Sequence, residues 1–173
     1  MQALNFWKLV IRDKANYLEF FLAMLEENGI CFCVIDGQGV NTYVDPLVSL
    51  DLDLAVATTQ AELIESLLAR YYKVTRFPHS LNIELPDSDL RIQIQTDSRY
   101  GEFAARASQR EILGLTLPVA RLEDILQGKV WAIQDPDRRA SKRQKDLADI
   151  ARILESHPDL KAQVPAGVLA RLI

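Results

Sequence analysis

Residues 34–57 read VIDGQGVNTYVDPLVSLDLDLAVA, and this stretch decides how the rest of the chain is interpreted. It begins as an apolar run, breaks at two glycines and resumes as residues 50–54, where leucine and aspartate alternate. Successive side chains of a strand point to opposite faces, so Asp51 and Asp53 are predicted to share one face. Neighbouring carboxylates repel unless a cation lies between them, and Mg²⁺ is commonly held by one or two carboxylates. The alternative is an exposed strand face with two solubilising acids.

The bulk composition is that of a globular protein. The chain has 173 residues, of which 49% are hydrophobic and 25% charged, with a net charge of −4. These values predict a single domain. The order of the predicted elements divides it into a mixed-sheet core in residues 1–120 and C-terminal helices in residues 121–173. The negative charge argues against a broad nucleic-acid-binding surface. Neither a membrane span nor a signal peptide is recognisable, so we expect a cytoplasmic protein.

Hydrophobic periodicity predicts the order of the elements. Helices are expected at residues 5–28, 58–72, 99–109, 122–132 and 141–156, and strands at residues 30–35, 50–54, 74–77, 81–85 and 90–95, with an extended segment at 112–119. A short helix at residues 40–43 should follow the glycine turn. This order indicates an α+β fold, that is, a mixed α/β sheet of about five strands with flanking helices and a helical C-terminal part.

The strands at residues 81–85 and 90–95 are predicted to form a hairpin with a four-residue loop. In that pairing Glu84 lies opposite Arg91, where the two side chains would form a cross-strand ion pair.

A glycine turn after a strand, a spacer and then Asp-hydrophobic-Asp on the next strand resembles the nucleotidyltransferase superfamily, which has the DNA polymerase β-like fold. More closely, the chain resembles the small bacterial nucleotidyltransferases of the AbiEii/AbiGii toxin type. The resemblance rests on residues 36–43, 49–54, 90–97 and 142–150, and therefore extends over most of the chain.

The resemblance implies a Mg²⁺-dependent enzyme that transfers a nucleoside monophosphate from a nucleoside triphosphate to a hydroxyl group of an RNA, a protein or a small molecule. Asp51 and Asp53 would be the catalytic metal ligands, and Gly37 and Gln38 would hold the triphosphate. The toxin type also implies an antitoxin-like protein partner.

Two positions depart from the family pattern. The family usually has two small residues in the turn, but here Asp36 precedes Gly37. The superfamily commonly adds a third acid on a neighbouring strand, where this chain offers Gln93 and Gln95, with Glu84 or Asp97 as a substitute. An amide oxygen can bind a metal but brings no charge. These departures motivate the alternative hypothesis of a catalytically impaired module that binds a nucleotide or a protein partner.

Basic residues concentrate near the C-terminal helices. Lys129 lies on one predicted helix, and residues 138–145 carry a cluster that leads into the next. Lys129 and Lys145 are candidate ligands for nucleotide phosphates, and Asp146 forms with Lys145 a pair that recurs in the family. The alternative is a solvated helix surface, on which lysines pair with acids four residues later.

Overall fold

A computed structural model describes residues 3–10 and 16–172. The helices are α1 (Ala3–Val10), α2 (Tyr17–Glu27), α3 (Asp36–Val40), α4 (Ala61–Leu68), α5 (Leu122–Gln134), α6 (Ala140–Ser156) and α7 (Ala166–Leu169). The strands are β1 (Phe32–Ile35), β2 (Asp51–Val56), β3 (Lys73–Phe77), β4 (Ser80–Glu84), β5 (Arg91–Gln95), β6 (Ser108–Ile112) and β7 (Leu115–Val119). No helix in these ranges is both long and apolar enough to cross a bilayer.

The strands of the described residues form one mixed sheet in the order β3-β4-β5-β2-β1-β7-β6. Strand β2 lies near the centre, antiparallel to β1 and parallel to β5. The fold class predicted from the sequence is confirmed, although this sheet has seven strands where about five were expected. The additional strands are β6 and β7, which form an antiparallel hairpin.

The predicted alternation along β2 is present. Leu52 and Leu54 are fully buried in the hydrophobic core, whereas Asp51 and Asp53 lie on the opposite face and are partly exposed. The β4–β5 hairpin also has its predicted register, with Glu84 opposite Arg91. The predicted ion pair between them is wrong, because Arg91 lies beside Asp51 on the parallel neighbour β2 and pairs with it instead. Glu84 pairs with Lys73 at 2.9 Å.

Two predicted helices differ from the structure. Residues 99–109 contain two 3₁₀ turns followed by the start of β6. Tyr100 and Phe103 have the spacing of a helix, but their rings pack against Trp131 of α5. In the segment 5–28, Asn16 has φ 59°, a left-handed conformation that interrupts a helix, and the adjoining residues 11–15 lie outside the described part.

Helix α3 begins at Asp36 and includes both glycines, so it precedes the position predicted for it at residues 40–43. A Cβ atom at Gly39 would lie 2.9 Å from Ile125 Cδ1 of α5, closer than real side-chain contacts. Glycine at this position therefore lets α3 pack closely on α5, and this packing brings the β1–α3 junction next to the C-terminal helices.

Candidate functional site

A cleft of about 500 Å³ lies between the polar face of the sheet and helices α5 and α6. Strand β2 supplies Asp51 and Asp53 to its lining, and β4 and β5 supply Glu84, Gln93 and Gln95. The opposite wall carries Lys129 from α5 and Lys142, Lys145 and Asp146 from α6, with Arg138 from the loop between them. The fold thus brings most of the predicted site residues to one cleft, although their roles stay predictions.

Asp51 is surrounded by basic groups. Its Oδ1 lies 2.7 Å from Arg91 Nε, and its Oδ2 lies 3.7 Å from Lys145 Nζ and 4.0 Å from Lys142 Nζ. The two lysines therefore face the cleft and Asp51 rather than the acids four residues further along their own helix. This carboxylate is already neutralised by side chains of the chain itself.

Asp53 is not neutralised in this way. Its side chain makes no hydrogen bond or ion pair with any residue that the structure describes. Burial and the nearby carboxylates of Asp36 and Asp51 raise the pKa of Asp53 to about 8, and Lys129 and Lys145 offset this only in part. Asp53 is therefore the position in the cleft where an added cation would relieve the most repulsion.

The candidate third ligands lie at different distances along the sheet. Gln93 is the register partner of Asp53 on β5, so the two residues are direct cross-strand neighbours, and Gln95 lies two residues further along the strand. Glu84 is a register partner of Arg91 on the next strand and forms its ion pair with Lys73, with both side chains exposed. Of the three, Gln93 is the closest companion of Asp53 along the sheet.

The two predicted triphosphate-binding residues differ in their surroundings. A Cβ atom at Gly37 would lie 3.7 Å from Lys145 Nζ, so the backbone of this turn approaches the basic side of the cleft. Gln38 is 2% exposed, and its side chain donates to the carbonyl of Ser49 and accepts from Asn41. Gln38 therefore supports the segment that leads into β2 and is not part of the cleft lining.

Lys129 is almost completely buried, at 3% exposure, and lies among three carboxylates. Its ammonium group contacts Asp36 and lies 2.9 Å from Asp146 Oδ1 and 2.7 Å from Asp149 Oδ2. Burial alone would lower the pKa of Lys129, but these carboxylates outweigh it and the pKa is raised. Lys129 is therefore a charged lysine that donates hydrogen bonds to Asp36 and Asp146 and forms an ion pair with Asp149.

The two aspartates of α6 also have arginine partners. Arg138 Nη2 lies 2.7 Å from Asp146 Oδ2, and Arg152 Nη1 lies 2.9 Å from Asp149 Oδ1. Together with Lys129 and Asp36 these four residues form a group that we call the Lys129 network. Asp149 and Arg152 are not among the predicted site residues, although the three-residue spacing of Asp146 and Asp149 places these two acids on one helix face.

An aromatic wall lies beside the acidic end of the cleft. The Arg99 guanidinium lies 4.9 Å from the centre of the Trp131 ring, and the Phe103 ring stacks on Trp131 with the ring centres 6.1 Å apart. Asp97 fixes Arg99 through a bidentate ion pair whose shortest contact is 2.8 Å. A planar cation and an indole ring, both held in place, thus border the space above the sheet.

A family model described as nucleotidyl transferase AbiEii toxin, type IV TA system, matches residues 52–172. The match extends over more than half of the sequence, from β2 through the C-terminal helices. The chain belongs to this family. The AbiEii resemblance drawn from the acidic strand and the α6 motif is thereby confirmed.

Solved structures with the same fold include antibiotic-modifying enzymes. The antibiotic-resistance factor ANT(2'')-Ia is 15% identical, with a TM-score of 0.58, and the alignment covers 88% of this chain and 91% of that one. The lincosamide antibiotic adenylyltransferase LnuA is 14% identical, with a TM-score of 0.51 and coverages of 81% and 98%. The Thermotoga maritima protein TM1012 is 13% identical, with a TM-score of 0.51 and coverages of 79% and 95%. Comparison with curated protein sequences gives no match.

At these identities the structural likeness establishes the nucleotidyltransferase fold. The AbiEii chain therefore has the polymerase β-like architecture that its glycine turn and acidic strand predicted. The antibiotics named for ANT(2'')-Ia and LnuA are ligands of those two proteins, and the likeness in fold does not assign them to this chain.

Proposed function

We propose that this AbiEii-family protein is a Mg²⁺-dependent nucleotidyltransferase that transfers a nucleoside monophosphate from a nucleoside triphosphate to a hydroxyl group. The observation that carries the proposal is the acidic pair, Asp51 and Asp53, on one face of β2. The pair lines a cleft whose opposite wall presents Lys142 and Lys145. Carboxylates on one wall and ammonium groups on the other suit a ligand that is both metal-bound and polyanionic.

The donor set of the cleft fits Mg²⁺. Asp53 offers carboxylate oxygens without any partner among the described side chains, and Asp51 and the amide of Gln93 are its neighbours. Hard oxygen donors of this kind, one or two carboxylates completed by substrate phosphates, are those that Mg²⁺ uses. When bound, the metal would supply charge stabilisation to the α-phosphate and to the leaving pyrophosphate.

The side chains of the cleft have separable tasks in this proposal. Asp51 and Asp53 would hold the metal from strand β2, where packing of Leu52 and Leu54 into the core fixes the direction of the two carboxylates. Lys145 and Lys142 neutralise charge on the phosphates, since their ammonium groups lie within about 4 Å of Asp51. The backbone of Gly37, close to Lys145, borders the same phosphates.

The acceptor is an RNA, a protein or a small molecule with a free hydroxyl group. The Arg99–Trp131 wall supports a planar group in the acceptor or the nucleotide, because aromatic and guanidinium planes stack on bases. The family description, which names a toxin–antitoxin system, supports an antitoxin-like protein as a regulatory partner.

Incubation with each labelled nucleoside triphosphate, Mg²⁺ and cellular RNA tests the proposal. We expect label transfer by the wild type and its loss in Asp51→Asn and in Asp53→Asn. Asp159→Asn is the matched control, because this exposed acid lies outside the cleft lining and should leave transfer unchanged. Transfer that persists in both cleft variants would remove the proposal.

A second candidate function is nucleotide sensing without transfer. Two observations favour it: Asp36 occupies the turn where the family has a small residue, and β5 offers Gln93 beside Asp53 where an acid is common. Calorimetry with Mg²⁺ and each triphosphate separates the two functions. Tight binding without turnover supports the sensor, and turnover excludes it.

A further inference from the structure

The ammonium group of Lys129 has three N–H donors, and three carboxylates surround it. Two of these carboxylates, from Asp146 and Asp149, come from α6 and are buried at 1% and 4% exposure. The third comes from Asp36, which lies at the junction of β1 and α3 and whose side chain is 29% exposed to the cleft. The Asp36 contact is therefore the cleft-facing side of Lys129.

The three carboxylates depend on Lys129 to different extents. Asp146 has Arg138 as a second cation and Asp149 has Arg152. Within the described residues Asp36 has Lys129 as its one ion-pair partner. The network is neutral with Asp36 in place, because three cations balance three carboxylates. Without Asp36 it would present one uncompensated positive charge to the cleft.

The backbone at Asp36 does not require an aspartate. Its φ of 54° lies in the left-handed region that favours glycine, and a non-glycine residue is strained there. Glycine would therefore be less strained than aspartate at this position. The interaction that the Asp36 side chain contributes is its contact with Lys129.

We infer that Asp36 occupies with its own carboxylate an anion-binding site formed by Lys129, and so keeps this end of the cleft closed to phosphate groups. The ligand class of the site is a phosphate group of a nucleotide or a polyphosphate, and this choice of ligand rests on the proposed function. Asp36 is thus a specificity-determining residue, because an anion reaches Lys129 only by displacing it. Lys145 and Lys142 remain the accessible phosphate-facing cations.

Titration calorimetry of the full chain with inorganic pyrophosphate, in the absence of divalent metal, tests this inference. Asp36→Gly should bind pyrophosphate about tenfold more tightly than the wild type, since it frees one charge-assisted donor. Glu84→Gln is the matched control, because it removes one negative charge from the cleft rim without contact to Lys129. It should change the affinity by less than about threefold.

Two further variants keep the test decisive. Asp36→Asn keeps the side-chain size and should also tighten binding, so the inference stays testable if the glycine variant folds poorly. Adding Lys129→Gln to Asp36→Gly should abolish the gain. Equal tightening in Asp36→Gly and Glu84→Gln, or weaker binding in Asp36→Gly, would overturn the inference.

The outcome is independent of catalysis. The titration involves no nucleotide transfer, so a chain that binds pyrophosphate more tightly after Asp36→Gly but transfers no label would retain this inference and lose the proposed function. Transfer activity combined with an unchanged pyrophosphate affinity in both Asp36 variants would retain the proposed function and overturn this inference.

Discussion

The two groups of acids in the cleft differ in how they are neutralised. In the Lys129 network three carboxylates have three cations from the same chain, and every contact is within the distance of an ion pair. In the acidic pair on β2, Asp51 has Arg91 as its partner, whereas Asp53 has no ion pair among the residues described. The first group has one cation for each carboxylate, whereas in the second all the ion pairs among the described residues go to Asp51 and none goes to Asp53.

This difference favours a structural role for the Lys129 network and a ligand-binding role for the acidic pair on β2. A buried ion-pair network that is fully paired holds elements together, here α3, α5 and α6. A carboxylate that remains unpaired beside two others costs stability, and such a cost is typical of a site that waits for a ligand. Burial and charge within one cleft therefore support the proposal that Asp51 and Asp53 bind a cation while the Lys129 network stabilises the fold.

Removal of Lys129 should have the largest effect. Lys129→Met leaves three carboxylates in a buried environment with two arginines, and we expect the free energy of unfolding to fall by about 3–5 kcal/mol. Chemical denaturation measures this change. Lys145→Met is the control: its side chain is 43% exposed, and it should cost less than about 1 kcal/mol. Similar losses in both variants would show that the network is not specially stabilising.

Neutralising Asp53 should stabilise the metal-free protein. Asp53→Asn replaces a carboxyl group that burial, Asp36 and Asp51 keep from ionising in the folded protein, whereas the unfolded chain ionises it freely. The substitution should therefore raise the free energy of unfolding near neutral pH by about 1–2 kcal/mol. Asp51→Asn loses the ion pair with Arg91 and should give no such gain. Thermal denaturation with and without Mg²⁺ measures both effects, and Mg²⁺ should stabilise the wild type but not Asp53→Asn. Destabilisation by Asp53→Asn would contradict the comparison.

The benefit of Asp53→Asn should grow with pH. The pKa of Asp53 is about 8 in the folded protein, and about 3.9 is usual for an unfolded chain. The folded protein therefore keeps a proton that the unfolded chain has already released. The stability that comes from this proton is present below about pH 4 and is lost as the pH rises towards 8. Denaturation of both proteins across this range should show a widening difference, and a constant difference would refute the shift.

Loss of Arg91 should have the smallest effect. Its side chain is 68% exposed, so the ion pair with Asp51 is screened by water, and Arg91→Gln should change the free energy of unfolding by less than about 1 kcal/mol. The same variant frees Asp51 and should slightly tighten Mg²⁺ binding, which calorimetry measures. A large loss of stability would place Asp51 with the paired carboxylates of the Lys129 network.

Local patterns predicted the parts of the fold that local physics determines. The alternation of residues 50–54 predicted which face of β2 carries the acids, and hairpin geometry predicted the register of β4 and β5. The helical spacing of Tyr100 and Phe103 predicts a helix at residues 99–109, and this prediction is wrong because their packing partner Trp131 lies on another element.

The charges of the site were harder to predict, because their partners are distant in sequence. Lys129 contacts Asp36, 93 residues away, and Asp146, 17 residues away. The sequence indicated Lys129 as a phosphate ligand but contained no local signal that three carboxylates would surround it. Asp36 was recognised as an unusual residue in the turn, but its partner became apparent only from the packing of α3 on α5.

The order in which the two walls of the cleft occur along the chain has a consequence for protein synthesis. The acids of β2 and their neighbours on β5 leave the ribosome well before α5 and α6, which supply the basic wall. A nascent chain that ends at Gln95 carries both acids but neither Lys129 nor Lys145. Because chains fold from the N-terminus during translation, the cleft can form only when the helices of its basic wall, in the last third of the protein, have been made. A ribosome stalled before that point holds a chain without a complete pocket.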